Sequence, residues 1–182
     1  SVDEVAIYPG QLTSTQILKH YLASRPDPAS VDIFKATILG DQPYAYWRLN
    51  EGAGTTATDV VSSQLNTSTY NGTYSAGMTW NASSPVRNAS PANSAVISSA
   101  SAPYDTITLP VNAPTTWGSI SIEFWIYPTS ITNQADTFTP VIYEDTASPT
   151  TCKGWGNFAA VPYVAGAKRS FMMGTGKFLG CG

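Results

Sequence analysis

The chain opens on an alternating run. Val5 and Ile7 fall on one face of Val2–Tyr8 and Glu4 and Ala6 on the other, which predicts a half-buried strand. Pro9-Gly10 ends it, because proline cannot donate to a ladder and glycine turns the chain. A helix start follows. Thr13 and Gln16 have the spacing of a capping box, and Leu12 and Ile17 that of a hydrophobic staple. Ile17, Leu18, Tyr21 and Leu22 then form one apolar face before Arg25-Pro26 stops the helix. A second helix is predicted from Ser30 to Leu39, with Ile33, Phe34, Ile38 and Leu39 as its buried stripe and Gly40 at its C-terminal cap.

From Tyr44 the pattern changes to strands. Tyr44 to Leu49 is aromatic-rich and runs into turn residues from Asn50 to Gly54. Thr55 to Met78 reads as short strands joined by loops, Asn81 to Asn93 as a loop, and Ser94 to Leu109 as two more strands. The clearest alternation is Ser119 to Tyr127. Ile120, Ile122, Phe124 and Ile126 face one way, and Ser121, Glu123, Trp125 and Tyr127 the other. Val141 to Tyr143, Phe158 to Val164 and Ser170 to Met173 continue the series. Many short strands with turns between them predict an all-β sandwich.

Composition narrows the function classes. Charged residues make up 12% of the 182 residues, about half the roughly 25% of an average soluble domain. Nine Lys and Arg against twelve Asp and Glu leave a net charge of -3 and no electrostatic footprint for nucleic acid. No apolar run reaches the ~18 residues of a membrane helix, so no membrane insertion is expected. Aromatics at 12% argue against disorder. A neutral, hydroxyl-rich surface of this kind fits an extracellular, cell-surface or virion setting. The N-terminus lacks the features of a signal peptide, and both ends read as cut from something longer.

Two segments resemble a known family. Val2 to Tyr8, with Leu12-Thr13 and His20-Tyr21, is similar to the closing segment of laminin-G-like jelly-roll domains of the concanavalin A-like group. Ala45 to Gly54 resembles the opening segment of the same family, and Asn71-Gly72-Thr73-Tyr74, Met78-Thr79-Trp80 and Ile120 to Pro128 follow in its order. The resemblance implies a concanavalin A-like antiparallel β-sandwich (jelly roll) preceded by a short helical connector. It places residues 1–25 in a preceding module, 26–42 in the connector and 43–182 in the first part of a second module. A closing strand without its own opening strand leaves sheet edges to be completed. Either Val2 to Tyr8 folds back through the connector, or another chain or a continuation supplies the strands; the second is the expectation.

Catalysis finds little support. The single histidine, His20, reads as a surface or packing residue, and one His with two Cys makes no zinc constellation. A retaining glycosidase needs two carboxylates about 5–5.5 Å apart. Glu123 instead has Ser121 and Trp125 at the alternate positions. Asp105 alone is thin support for calcium, so neither a metal nor a cofactor is expected.

Binding is the better reading. Glu123, Trp125 and Tyr127 share a strand face on which aromatic rings beside a carboxylate could stack on a sugar; packing under a neighbouring strand or subunit is the alternative. Trp47, sharing its face with Leu49, reads as core, whereas Trp80, Trp117 and Trp155 lie near loops. Cys152 and Cys181, the only cysteines, are expected to pair, with free thiols or cross-links to other chains as alternatives. Asn66, Asn71, Asn81 and Asn88 head glycan-acceptor triplets. The function expected is recognition or adhesion by a non-catalytic module. Its expected partners are glycans and other copies or neighbouring modules of the same protein. An architectural subunit of a virion, tail fibre or filament is the alternative.

Overall fold

The computed structural model describes residues 2–25, 32–64, 70–86, 93–96, 107–109, 119–126, 139–142, 158–160 and 171–173. The chain divides into two compact units, Ser1–Tyr127 and Pro128–Gly182. In the first unit, β1 (Val2–Tyr8) is followed by the helices α1 (Ser14–Ala23) and α2 (Ile33–Gly40). After these come β2 (Ala45–Trp47), β3 (Thr56–Ala57), α3 (Val60–Gln64), β4 (Gly72–Tyr74) and β5 (Thr79–Ser83). The unit continues with β6 (Asn93–Val96), β7 (Ile107–Thr108) and β8 (Ser121–Ile126). In the second unit, β9 (Thr139–Ile142), β10 (Phe158–Ala160) and β11 (Phe171–Met173) form an antiparallel sheet in the order β11-β10-β9.

β1 organises the first unit. It pairs antiparallel with β2 through Val5↔Trp47, Ala6↔Tyr46 and Ile7↔Ala45, and with β8 from Val2↔Ile126 to Tyr8↔Ser121. It also touches β6 at Val2↔Ala95, and β5 extends that edge. Between Asp3 and Ala6 the register with β8 shifts by one residue, and Glu4 takes the left-handed φ of 53° that such a bulge accommodates. Within the chain, β1 thus folds back through the connector onto β2, the strand that opens the next segment.

Alternation gives this sheet two unlike faces. Val5, Trp47, Leu49, Ala45, Ala57, Tyr74 and Met78 form one buried cluster, with Ile107 and Phe124 packed against it, so this face lies on the small sheet β3-β4-β7. On the other face Ala6, Tyr8 and Tyr46 pack with Phe34 and Ile38 of α2, and Trp125 joins them edge-on to Phe34 at 6.2 Å. Helix, five-stranded sheet and three-stranded sheet thus succeed one another as layers.

The all-β jelly-roll expectation is corrected by this arrangement. Among the described residues helices are a principal component, the strands are divided among small sheets, and neither a closed barrel nor a pair of broad facing sheets is formed. Two causes are visible. The strands are short, often two or three residues, so each sheet covers little area. The large side chains Phe34 and Ile38, both at most 1% exposed, then fill the place on the second face that another sheet would take.

Local expectations fared unevenly. α1 carries the capping box: the Gln16 amide donates to Thr13 Oγ1 at 3.3 Å and the Thr13 amide to Gln16 Oε1 at 2.9 Å. Its apolar face, however, points outward. Ile17 and Leu18 are each 56% exposed, Leu22 53% and Tyr21 51%, so Ile17 supplies no buried staple to Leu12. In α2 the expected stripe is buried at Phe34 and Ile38, but Ile33 is exposed. The stretch read as strands and loops contains α3, and β5 extends to Ser83 into the predicted loop. Trp47 and Leu49 are core, as their shared face implied.

Candidate functional site

The helix-facing side of β8 is where the candidate binding residues lie. Ser121, Glu123 and Trp125 alternate onto it, opposite Tyr8, Ala6 and Asp3 of β1. Each meets the layer above. The Leu12 amide donates to Ser121 Oγ at 2.9 Å, which fixes the approach to α1. Trp125 packs among the α2 side chains. Glu123 Oε2 lies 2.6 Å from His20 Nδ1 and accepts at 3.4 Å from the Tyr8 hydroxyl. The structure therefore brings Glu123 and Trp125 to one face, beneath the helices. Tyr127, Trp117 and Trp155, and the cysteines Cys152 and Cys181, lie outside the described residues.

His20 is the centre of the cluster. It is 2% exposed, on the side of α1 opposite the solvent-facing leucines. Its Nε2 lies 2.8 Å from Asp41 Oδ2, just beyond α2, so one imidazole joins α1 to β8 and to the end of α2. The Tyr8 ring stacks on it, centroids 6.0 Å apart at 28°. Burial alone would lower the basicity of the ring, but the hydrogen bonds and charges of Glu123 and Asp41 outweigh it and raise the pKa. Asp41 moves the other way: burial opposes it, yet His20, Gln16 and Lys19 hold its carboxyl below its ordinary value. Burial and the adjoining Glu123 charge push the Tyr8 phenol up.

A second polar cluster underlies the bulge in β1. Arg48 forks between Glu4 Oε1 (Nε and Nη2, both 3.2 Å) and Asp32 (Nη1 to Oδ2 at 2.6 Å, Nη2 to Oδ1 at 3.2 Å), and the Tyr46 hydroxyl donates to Glu4. Burial raises Glu4 in spite of Arg48. Asp3, fully buried, accepts from the Ser84 hydroxyl; burial and then the Glu4 charge push it up to about 8. Asp3 Oδ1 and the Trp125 indole N–H, on directly opposed residues, have no hydrogen-bond partner among the described residues.

Sequence reasoning took His20 for a bystander and passed over Asp41, Asp59 and the Arg48 fork. One signal was present. Gln16, His20 and Ala23 recur at helical spacing and form the stripe that turns inward, with His20 buried and the other two partly so. Of the glycan-acceptor asparagines, Asn71 accepts the Asp59 amide at 3.0 Å and Asn81 is exposed on β5; Asn66 and Asn88 lie outside the described residues.

Chemically, these clusters are braces. Their carboxylates are engaged by imidazole, guanidinium or hydroxyl groups, and among the described residues no group of three or more His, Cys, Asp or Glu side chains could hold a metal ion. No described helix is long and apolar enough to cross a membrane. Comparison with protein-family models, curated proteins and solved structures finds no match, so the geometry alone carries the functional reading.

Proposed function

We propose that this chain is a non-catalytic contact module of an extracellular or virion-surface assembly, built to pack against other copies or neighbouring modules. The observation that carries the reading is the outward apolar face of α1. Ile17, Leu18, Tyr21 and Leu22 are each more than half exposed, and Leu18, Leu22 and Ala23 continue with Ile33 of α2 into one shallow groove. Contiguous exposed apolar side chains of this kind mark contact surfaces. The sparse charge of the chain supports the same reading, since little repulsion opposes close packing of copies.

Glycan adhesion draws less support from the geometry, because Glu123 and Trp125 are occupied beneath the helices. Catalysis draws none from clusters whose polar groups brace one another.

Sedimentation velocity over a rising concentration series tests the proposal. The wild-type chain is expected to associate, and the double variant Leu18→Glu, Leu22→Glu to remain monomeric with an unchanged far-ultraviolet spectrum. A wild-type chain that stays monomeric while a glycan array gives specific binding, weakened by Trp125→Ala, would overturn it in favour of carbohydrate recognition. Measurable turnover of a β-glucan, lost in Glu123→Gln, would overturn its non-catalytic part.

A further inference from the structure

We infer that His20, Glu123 and Asp41 form a protonation-dependent latch that holds α1 on the sheet and lets it loosen when the imidazole loses a proton. The inference is independent of what α1 contacts. It starts from the donor inventory. An ionised carboxylate only accepts, and a neutral imidazole carries a single N–H. Here both ring nitrogens face carboxylate oxygens, Nδ1 at 2.6 Å from Glu123 and Nε2 at 2.8 Å from Asp41. Both contacts are hydrogen bonds only when the ring is an imidazolium. Deprotonation would turn a lone pair toward one of the two carboxylates and convert an attraction into a repulsion.

The groups facing the ring are few. From β1 comes Tyr8, whose stacked ring favours a cation and whose hydroxyl donates to the same Glu123 oxygen. From β8 comes Glu123, and from the end of α2 comes Asp41. From α1 itself Gln16 and Lys19 act on Asp41. The two flanking carboxylates keep the ring protonated above its ordinary range, which puts the transition on the alkaline side of 6.5.

α1 is suited to respond. His20 is its one buried side chain, and its large apolar residues are on the outside. Little hydrophobic burial therefore remains to hold the helix when the latch opens. Further polar anchors lie toward its N-terminal side, the Leu12 amide on Ser121 and the Gln16 side chain on Asp41, so loosening is expected to begin from the C-terminal half of the helix.

The test couples two measurements on the wild-type chain: the proton resonances of the His20 ring, and amide hydrogen exchange corrected for its intrinsic pH dependence. The ring is expected to titrate above 6.5. Between 6.5 and that midpoint, protection of the α1 amides relative to those of β1 and β2 is expected to fall by up to about tenfold per pH unit, the limit for one linked proton, and to level off above the midpoint. Asp41→Asn supplies a neutral amide that can donate to Nε2, so a neutral ring then fits the site. In that variant the ring midpoint is expected to drop and the α1 protection to become insensitive to pH. A ring titrating at or below 6.5, α1 and β1 protection moving in parallel, or an α1 profile unaltered by Asp41→Asn would each overturn the inference.

Discussion

Asp59 shows how much one side chain can hold in this molecule. It is fully buried just before α3, and its carboxylate accepts from the Tyr46 amide at 2.8 Å, the Val61 amide at 3.2 Å, the Ser62 amide at 2.8 Å and the Ser62 hydroxyl. One residue thus caps a short helix and ties it to β2. A helix of five residues is too short to persist alone, so its existence depends on that cap and on packing. Asp59→Ala is expected to lower stability by roughly 3 kcal/mol, the loss of a cap plus charge-assisted hydrogen bonds whose buried partners are left open. Equilibrium denaturation in urea checks it, and a loss below about 1 kcal/mol would show that water or a neighbour replaces the carboxylate. Gly72 is constrained differently. A Cβ there would stand 2.8 Å from the Thr108 carbonyl oxygen and 2.8 Å from Leu109 Cδ2. The first of these is backbone, which cannot swing aside. Gly72→Ala is therefore expected to separate β4 from β7 and to destabilise by about 1–3 kcal/mol, readable as a lower denaturation midpoint.

The elements were legible to the extent that their causes are local. The T-x-x-Q box at Thr13 is a contact among four consecutive residues, and the helix begins where that contact puts it. Thr13→Ala is expected to cost about 1 kcal/mol, checked by thermal denaturation together with the exchange rates of the first-turn amides. Which face of the helix turns inward is a different kind of fact. The leucines of α1 form an apolar stripe by spacing, yet the stripe that docks is Gln16, His20 and Ala23, because two carboxylates more than twenty and one hundred residues away receive the imidazole. Spacing within ten residues holds no trace of Asp41 or Glu123. β8 shows the same boundary from the other side. Its alternation was legible and the structure keeps it, with Phe124 against one core and Glu123 and Trp125 on the opposite face. What covers that face was not legible, since α2 reaches it only through the pairing of β1 with β2. The jelly-roll expectation failed at that step: alternating strands specify a sheet with two faces, and only tertiary packing decides whether helix or sheet closes each one.

The ionisable groups add up to a property of the whole molecule, a fold favoured on the acid side of neutrality. Asp3 keeps its proton to about pH 8 in the folded chain, whereas its ordinary value is 3.8. Between these values the folded state binds more protons than the unfolded one, so this contribution to stability is complete below 3.8 and is lost as pH rises toward 8. His20 acts in the same direction over a later interval. Its folded value is raised above 6.5, so its contribution is complete below 6.5 and fades as pH rises beyond that. Asp41, lowered from 3.8, opposes them only in acid, where its contribution is lost as pH falls. Glu4, raised from 4.5 to about 7, acts in the same direction, so Asp3 and Glu4 decline together from 4.5 to about 7 and His20 adds to them above 6.5, each still protonated in the folded chain where the unfolded chain has released its proton. Denaturant midpoints measured from pH 5 to pH 8.5 are expected to drop through this interval in the wild-type chain. Asp3→Asn removes the first group while keeping its shape and the acceptor for Ser84. The variant is expected to make the profile shallower up to about pH 8 and to leave the declines that belong to Glu4 and His20. A wild-type midpoint that is level from pH 5 to 8.5, or an Asp3→Asn profile parallel to the wild type, would show that Asp3 is ionised within the fold. The buried cluster around it would then be held by charge pairing with Arg48 rather than by a retained proton.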